Sequence, residues 1–180
     1  MKNIYEIFGN HRVIIAAYRL PYNITKIKNK TELQQNSGGL VSAILSLTDR
    51  ISKKENGKSI NKILWFGQSD YTKKDFNKFG SDNIEFELNP VYIPAEINKE
   101  YYEGFCNDTL WPLFHYFPMF TVFKESYFRA YVKANQIFMN ELEKVIRPND
   151  IIWIHDYQLM LLPKLIKDKF PNVKIGFFLH

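Results

Sequence analysis

Short, continuous apolar runs alternate along the chain with longer mixed stretches. RVIIAAY (12–18), ILWFG (63–67), IIWIH (151–155) and VKIGFFLH (173–180) are rich in β-branched and aromatic residues and do not alternate with polar ones. That is the pattern of strands buried on both faces. VYIPA (91–95) predicts a further short strand. Between the runs the period changes. Phe123, Tyr127, Tyr131, Ala134, Phe138, Leu142 and Val145 step by four or three, which predicts a long helix over 122–146. Leu40, Ile44, Leu47 and Ile51 repeat the pattern after the Gly-Gly of SGGLVSAILSL (37–47). Residues 157–169 read as helical, with Pro163 beginning, kinking or splitting the helix. The polar stretch 22–36 reads as a loop, and 68–90 is polar and mixed, punctuated by Gly80 and Pro90. Residues 98–118 are dense in rings, contain Gly104 and Pro112, and keep no clean period. Irregular segments of this composition often shape sites.

Strands alternating with helices predict an α/β fold, a Rossmann-like and mostly parallel sheet with helices on both faces. Ligands of such sheets gather at the carboxyl ends of the strands. Four polar features fall there: Arg19, GQSD at 67–70, Asp156 and His180. A buried strand that ends at His180 with no cover following predicts that the 180 residues are an incomplete piece of a longer protein.

Composition narrows the class. A net charge of +5 suits anionic small molecules, but the lysines are scattered and no basic face forms, which argues against nucleic acid. No run is long enough for a membrane span, and no signal peptide opens the chain. One cysteine, Cys106, excludes an internal disulfide and a Cys-based zinc site, and suits a reducing compartment. Aromatics make up 16% of residues, serving a core or stacking on sugars.

The candidate residues each carry two readings. Gly38-Gly39 let backbone N–H groups approach an anion at a helix start, or form only a flexible helix entry. The Arg19 guanidinium grips phosphate with paired hydrogen bonds, or makes a surface salt bridge. Asp156 binds sugar hydroxyls or acts as a base, or caps the next helix. Tyr102, Asn107, Trp111 and His115 offer rings and polar edges to a sugar, or form an aromatic plug. His155 and His115 read as structural, and the histidines share no metal-ligand spacing. No nucleophile elbow is present, so hydrolysis by that route is disfavoured.

Several of these segments together resemble one family. YRLP, SGGLVSAI, WFG, FCNDTLWPLFHY, IIWIHDYQLMLLPKLI and KIGFFLH are similar, in order and spacing, to the N-terminal half of trehalose-6-phosphate synthases, glycosyltransferase family 20. The resemblance implies the N-terminal, acceptor-side domain of a two-domain GT-B glycosyltransferase over residues 1–180, with the nucleotide-sugar domain absent. It implies retaining transfer of glucose from UDP-glucose to glucose 6-phosphate in the cytoplasm, with no cofactor and no metal. A homo-oligomer or a trehalose-phosphatase partner is the association it brings with it. By residue, it implies that Arg19, Tyr102, Trp111 and Asp156 bind glucose 6-phosphate. Gly38, Gly39 and His180 would meet the donor, and His180 and Asp156 would stand at the reaction centre.

Two positions depart from the family pattern. Ala17-Tyr18 stands where the family reads Ser-Asn, and Gln68 stands where it has a tryptophan. They keep two rivals in play: a non-catalytic homologue that senses glucose 6-phosphate or binds the synthase, and a transferase with another acceptor. With the second domain missing, the leaving diphosphate loses its electrostatic support, so the isolated 180 residues are expected to be inactive.

Overall fold

The computed structural model describes residues 11–27, 30–36, 41–43, 63–79 and 86–180. Five strands, β1 (Val13–Arg19), β4 (Ile63–Gln68), β5 (Phe86–Val91), β6 (Ile151–His155) and β7 (Lys174–Phe178), form one sheet in the order β5-β4-β1-β6-β7. Every pairing in it is parallel. The chain builds outward from β1 through β4 to β5, then returns to the other side of β1 for β6 and β7. The order therefore reverses at β1, and a crevice lined by Arg19 and Gln68 opens at the carboxyl ends of β1 and β4.

The continuous apolar runs have a direct structural cause. On one face Ile14, Ala16, Leu64, Phe66, Val91, Ile152 and Ile154 pack with Tyr131, Ala134, Phe138 and Leu142 of a long helix and with Leu162 and Ile166 of the last one. On the other, Val13, Ile15, Ala17, Ile63, Trp65, Phe86 and Leu88 pack with Leu20, Ile24 and Phe76. Both faces of β1 are thus dry, so no position in it alternates with a polar one. At the amino end of the sheet, Asp150 accepts from Arg12 Nε at 2.9 Å and from the Arg147 amide at 2.7 Å, far from the crevice.

The helices are α1 (Lys73–Asn77), α2 (Ala95–Asn98), a π-helix (Lys99–Leu110), α3 (Trp111–Phe114), α4 (Glu125–Leu142) and α5 (Leu162–Lys169). The helix expected over 122–146 is α4, shorter at both ends. Pro163 falls in the first turn of α5, where a missing N–H costs nothing. The helix expected after Gly38-Gly39 lies outside the described residues, apart from helical 41–43.

Four expectations change. The last strand, expected to be buried, is an edge of the sheet, with Phe177 and Phe178 exposed. Residues 22–36 are not a loop: β2 (Tyr22–Ile27) and β3 (Lys30–Gln35) pair as an antiparallel hairpin. Its Ile24 and Leu33 face each other and join the core, while its other positions are mostly polar and exposed. The strand expected at 91–95 is β5, four to five residues earlier, mostly inside the polar, mixed stretch. Pro90 is tolerated because β5 is an edge strand. Residues 98–118 do have a period. Tyr101, Cys106 and Leu110 are buried at steps of five and four, the spacing of a π-helix, which a search at 3.6 cannot find.

Among the described residues no helix is long and apolar enough to cross a membrane.

Candidate functional site

Arg19 ends β1 at a point where the register with β4 shifts. Two residues of β4 fix its backbone. The Trp65 indole N–H donates to the Arg19 carbonyl at 3.1 Å. Gly67 passes so close that an added Cβ would lie 2.6 Å from Leu20 N and 2.8 Å from Arg19 C. Any side chain at 67 would push Arg19 away, which explains the glycine of WFG.

The guanidinium itself is exposed. Its Nη2 donates to the Tyr102 hydroxyl at 3.1 Å, and no carboxylate among the described residues pairs with it. The salt-bridge reading of Arg19 therefore does not hold among the described residues. Tyr102 lies flat on Tyr18, with ring centroids 4.0 Å apart and 7° between planes. Tyr18 also meets Tyr101 edge-on at 5.7 Å and donates its hydroxyl proton to Asn98 Oδ1 at 3.0 Å. Burial pushes the Tyr18 phenol up to about 12, so it stays a neutral donor.

Tyr18, Arg19 and Tyr102 line a cleft of about 420 Å³ with Tyr22, Asn23, Asn36, Gln68 and Asp70. Gln68 Nε2 donates to Asp70 Oδ1 at 3.3 Å. The cleft thus offers one guanidinium with no carboxylate partner among the described residues, and a rim of hydroxyls, amides and one carboxylate. That is a surface for a ligand with an anionic group and many hydroxyls.

Asp156 follows β6, the neighbour of β1. Its backbone has φ 73° and ψ 169°, a region almost reserved for glycine. The strain is held from all sides. Its N–H donates to the Phe178 carbonyl at 2.7 Å, and its Oδ1 accepts from the Tyr157 amide at 2.9 Å. The turn that follows is bolted to the helices. Tyr101 Oη and Asn135 Nδ2 both donate to the Gln158 carbonyl at 3.1 Å. Tyr131 Oη donates to the Tyr157 carbonyl at 2.7 Å and accepts from the Met160 amide at 3.0 Å. Burial drives the phenols of Tyr101 and Tyr131 well above their ordinary value, so both remain donors. The cap reading of Asp156 is correct locally, but a cap needs no strain. Strain of this kind clusters at functional sites.

His180 stands beside Asp156 at the end of β7. Its Nε2 is 3.2 Å from Nδ1 of His155. His155, expected to be structural, is buried, but it also touches a candidate residue. The signal available in the sequence was its place: the last residue of a carboxyl-end strand, next to Asp156.

Two expected members stand apart. Trp111 does not line the cleft; it is 45% exposed and stacks on His115 at 4.1 Å, 22° between planes. Asn107 is exposed on the π-helix. Gly38 and Gly39 lie outside the described residues. A larger groove of about 950 Å³, between the π-helix and α4, contains four acidic and four basic side chains and none of the candidates. Its balanced charge gives it no preference for an anion.

Comparison with known proteins bears on the family and the fold. Residues 11–180 match the family described as glycosyltransferase family 20. The 56 kDa subunit of the UDP-forming α,α-trehalose-phosphate synthase of Saccharomyces cerevisiae is 37% identical over 184 residues, covering 93% of this chain and 34% of that protein. A Burkholderia xenovorans α,α-trehalose-phosphate synthase in complex with glucose-6-phosphate superposes with a TM-score of 0.67 at 26% identity, covering 94% and 33% of the two chains. An E. coli structure described as bound with UDP-2-fluoro glucose gives the same TM-score, identity and coverage. The chain spans about a third of the length of these proteins.

Proposed function

Because the chain belongs to glycosyltransferase family 20, we propose that its parent protein is a UDP-forming α,α-trehalose-phosphate synthase. In this reading it transfers glucose from UDP-glucose to glucose 6-phosphate in the cytoplasm. The 180 residues supply the acceptor-side domain of a GT-B enzyme, and the nucleotide-sugar domain lies in the remainder of the parent.

One observation carries the reading on this chain's own residues. Arg19 presents a guanidinium with no carboxylate partner among the described residues, locked at the backbone by Trp65 and Gly67 and at the side chain by Tyr102. A cation held so firmly and left unneutralised suits a phosphate. Gln68 and Asp70 offer hydrogen bonds to the sugar bearing it, and Asp156 stands one strand over. The acceptor hydroxyl attacks the donor's anomeric carbon on the face from which the diphosphate leaves. A C–O bond to the acceptor forms as the bond to UDP breaks, the hydroxyl proton passes to the departing diphosphate oxygen, and the anomeric configuration is retained. The contribution of this domain is to orient the acceptor and exclude water.

The test is synthesis of trehalose 6-phosphate by the full-length protein from UDP-glucose and glucose 6-phosphate, with an Arg19→Ala variant alongside. Turnover that falls by about a hundredfold or more in the variant supports the reading, the scale expected for a lost charge-assisted clamp. Turnover that survives intact in the variant overturns the role of Arg19. A folded protein that binds glucose 6-phosphate without turnover is instead a regulatory homologue, and Tyr18 and Gln68 become the places to look first.

A further inference from the structure

His155 and His180 meet ring to ring. The two planes lie 24° apart with centroids 5.5 Å from each other. His155 is only 1% exposed, flanked by Trp153 at 4.5 Å and Phe178 at 6.4 Å between centroids. Its Nδ1 faces His180 Nε2 at 3.2 Å. Its other nitrogen, Nε2, is buried without a hydrogen-bond partner. The last rung between β6 and β7, with the Asp156 amide on the Phe178 carbonyl, fixes the backbone on either side of the pair.

We infer that His155 is a positioning residue that selects the tautomer of His180, donating from its Nδ1–H to His180 Nε2 so that His180 carries its own proton on Nδ1. The inference rests on the reading that His180 meets the sugar donor.

The argument is one of proton counting. Two facing nitrogens need one proton between them, because two lone pairs repel and two N–H groups collide. Burial pushes His155 down to about 4, with His180 adding to the shift, so His155 is neutral near pH 7. Two neutral arrangements remain. If His180 donates, the His155 proton must sit on Nε2, leaving a buried N–H with no acceptor. If His155 donates, Nε2 is left only with an idle lone pair. Orphaned buried N–H groups are the rarer fault in folded proteins, so the second arrangement wins. His180 then holds an N–H at the far side of its ring from His155. It offers the substrate a hydrogen-bond donor, suited to a sugar hydroxyl oxygen or a diphosphate oxygen, and it cannot accept a proton there. The role is orientation and donation, in keeping with a chemistry that needs no histidine base.

The experiment uses the full-length protein labelled with 15N-histidine. Long-range proton–nitrogen NMR near pH 7.5 reads the two ring nitrogens of His180, assigned by a His180→Ala variant. The expected result is a protonated Nδ1 and a bare Nε2. A protonated Nε2 in the native protein overturns the inference. His155→Asn keeps an N–H donor near the place of Nδ1, whereas His155→Phe keeps the ring shape and removes the donor. The Asn variant is expected to keep the His180 tautomer and most of kcat. The Phe variant is expected to release the tautomer and lose about tenfold to a hundredfold in kcat, with the KM for glucose 6-phosphate changed less than about twofold. Equal kcat in the Asn and Phe variants overturns the inference. The reading beneath it fails separately: full activity in His180→Ala removes His180 from the reaction, whatever tautomer the spectrum shows.

Discussion

The ring of Tyr18 lies 4.0 Å from that of Tyr102, with 7° between the planes, and Tyr102 is the residue that receives Arg19. Tyr18, at a position where the family pattern is expected to read asparagine, is therefore the floor under the residue proposed to meet the acceptor. The bulk of its ring is folded flat against the wall of the cleft. Tyr18→Ala in the full-length protein should raise the KM for glucose 6-phosphate by about two- to tenfold, the value of one aromatic stack. The KM for UDP-glucose should stay within about twofold. Tyr18→Phe keeps the stack and loses only the bond to Asn98, so its effect should be smaller. Steady-state kinetics with each substrate varied in turn decides this.

Gly67→Ala should be disproportionately harmful. The added methyl meets backbone at Leu20 and Arg19, which cannot swing aside as a side chain can. We expect a loss of about 1–3 kcal/mol of stability and weaker binding of glucose 6-phosphate, since Arg19 moves with its backbone. Thermal unfolding and isothermal calorimetry read the two effects. Unchanged affinity in a folded variant would show that Arg19 does not depend on this approach.

Asp156 sets stability against function. Asp156→Gly relieves strain of about 1–3 kcal/mol and loses a cap worth only a few tenths relative to glycine. The variant should be more stable by about 1 kcal/mol and nearly inactive. Asp156→Ala keeps the strained backbone and loses the cap, so it should be less stable by about 1 kcal/mol. Opposite signs in urea unfolding at pH 7 are the diagnostic; equal signs would place the strain elsewhere.

Tyr131→Phe removes one hydroxyl that serves two backbone groups of the 157–160 turn. Leaving both groups unsatisfied should cost about 2–3 kcal/mol. It should also raise the KM for glucose 6-phosphate if Asp156 depends on the turn. A variant with lowered Tm and native kinetics would separate the turn from the site.

The His155 ring makes stability depend on pH. In the unfolded chain it takes a proton near the ordinary value of 6.5; in the folded protein it does so only at about 4. Between these values the unfolded state binds more protons, so stability rises with pH. The contribution is complete above about pH 6.5 and is lost as pH falls toward 4. Its full size is about 3 kcal/mol. Urea midpoints for the native protein and His155→Phe, compared at pH 7.5 and 5, should show a shallower loss in the variant.

The sequence made the sheet centre easy to read. β1, β4 and β6 are apolar because the sheet is covered there, and continuous apolar runs are hard to mistake; β7 reads the same way in sequence but is an exposed edge. The edge was harder: β5 contains Glu87, Asn89 and Pro90, since an edge strand tolerates polar residues and a missing donor. The β2–β3 hairpin buries little beyond Ile24 and Leu33, so its alternation was faint. At the site, Arg19, Asp156 and His180 were legible as polar residues at strand ends. Tyr131, Asn135 and Tyr101 were not, because their work is done through the backbone of another segment, and no local spacing records that. His155 looked like a core histidine, and only the approach of β7 distinguishes it.

The widened helix between Lys99 and Leu110 acts as a gauge. Tyr101 and Leu110, nine positions apart, are both buried, so nine residues here make about two turns. Their neighbours Tyr102 and Trp111 share the same separation, although only Tyr102 lines the cleft. On an ordinary helix, at about 100° per residue, nine steps would set Tyr101 and Leu110 back to back. Loss of a single residue between them would tighten the coil and turn one of the pair away without altering either side chain. In this segment the number of residues is under the same constraint as their identity. Insertions and deletions in relatives should therefore avoid it more strictly than they avoid the hairpin beside it.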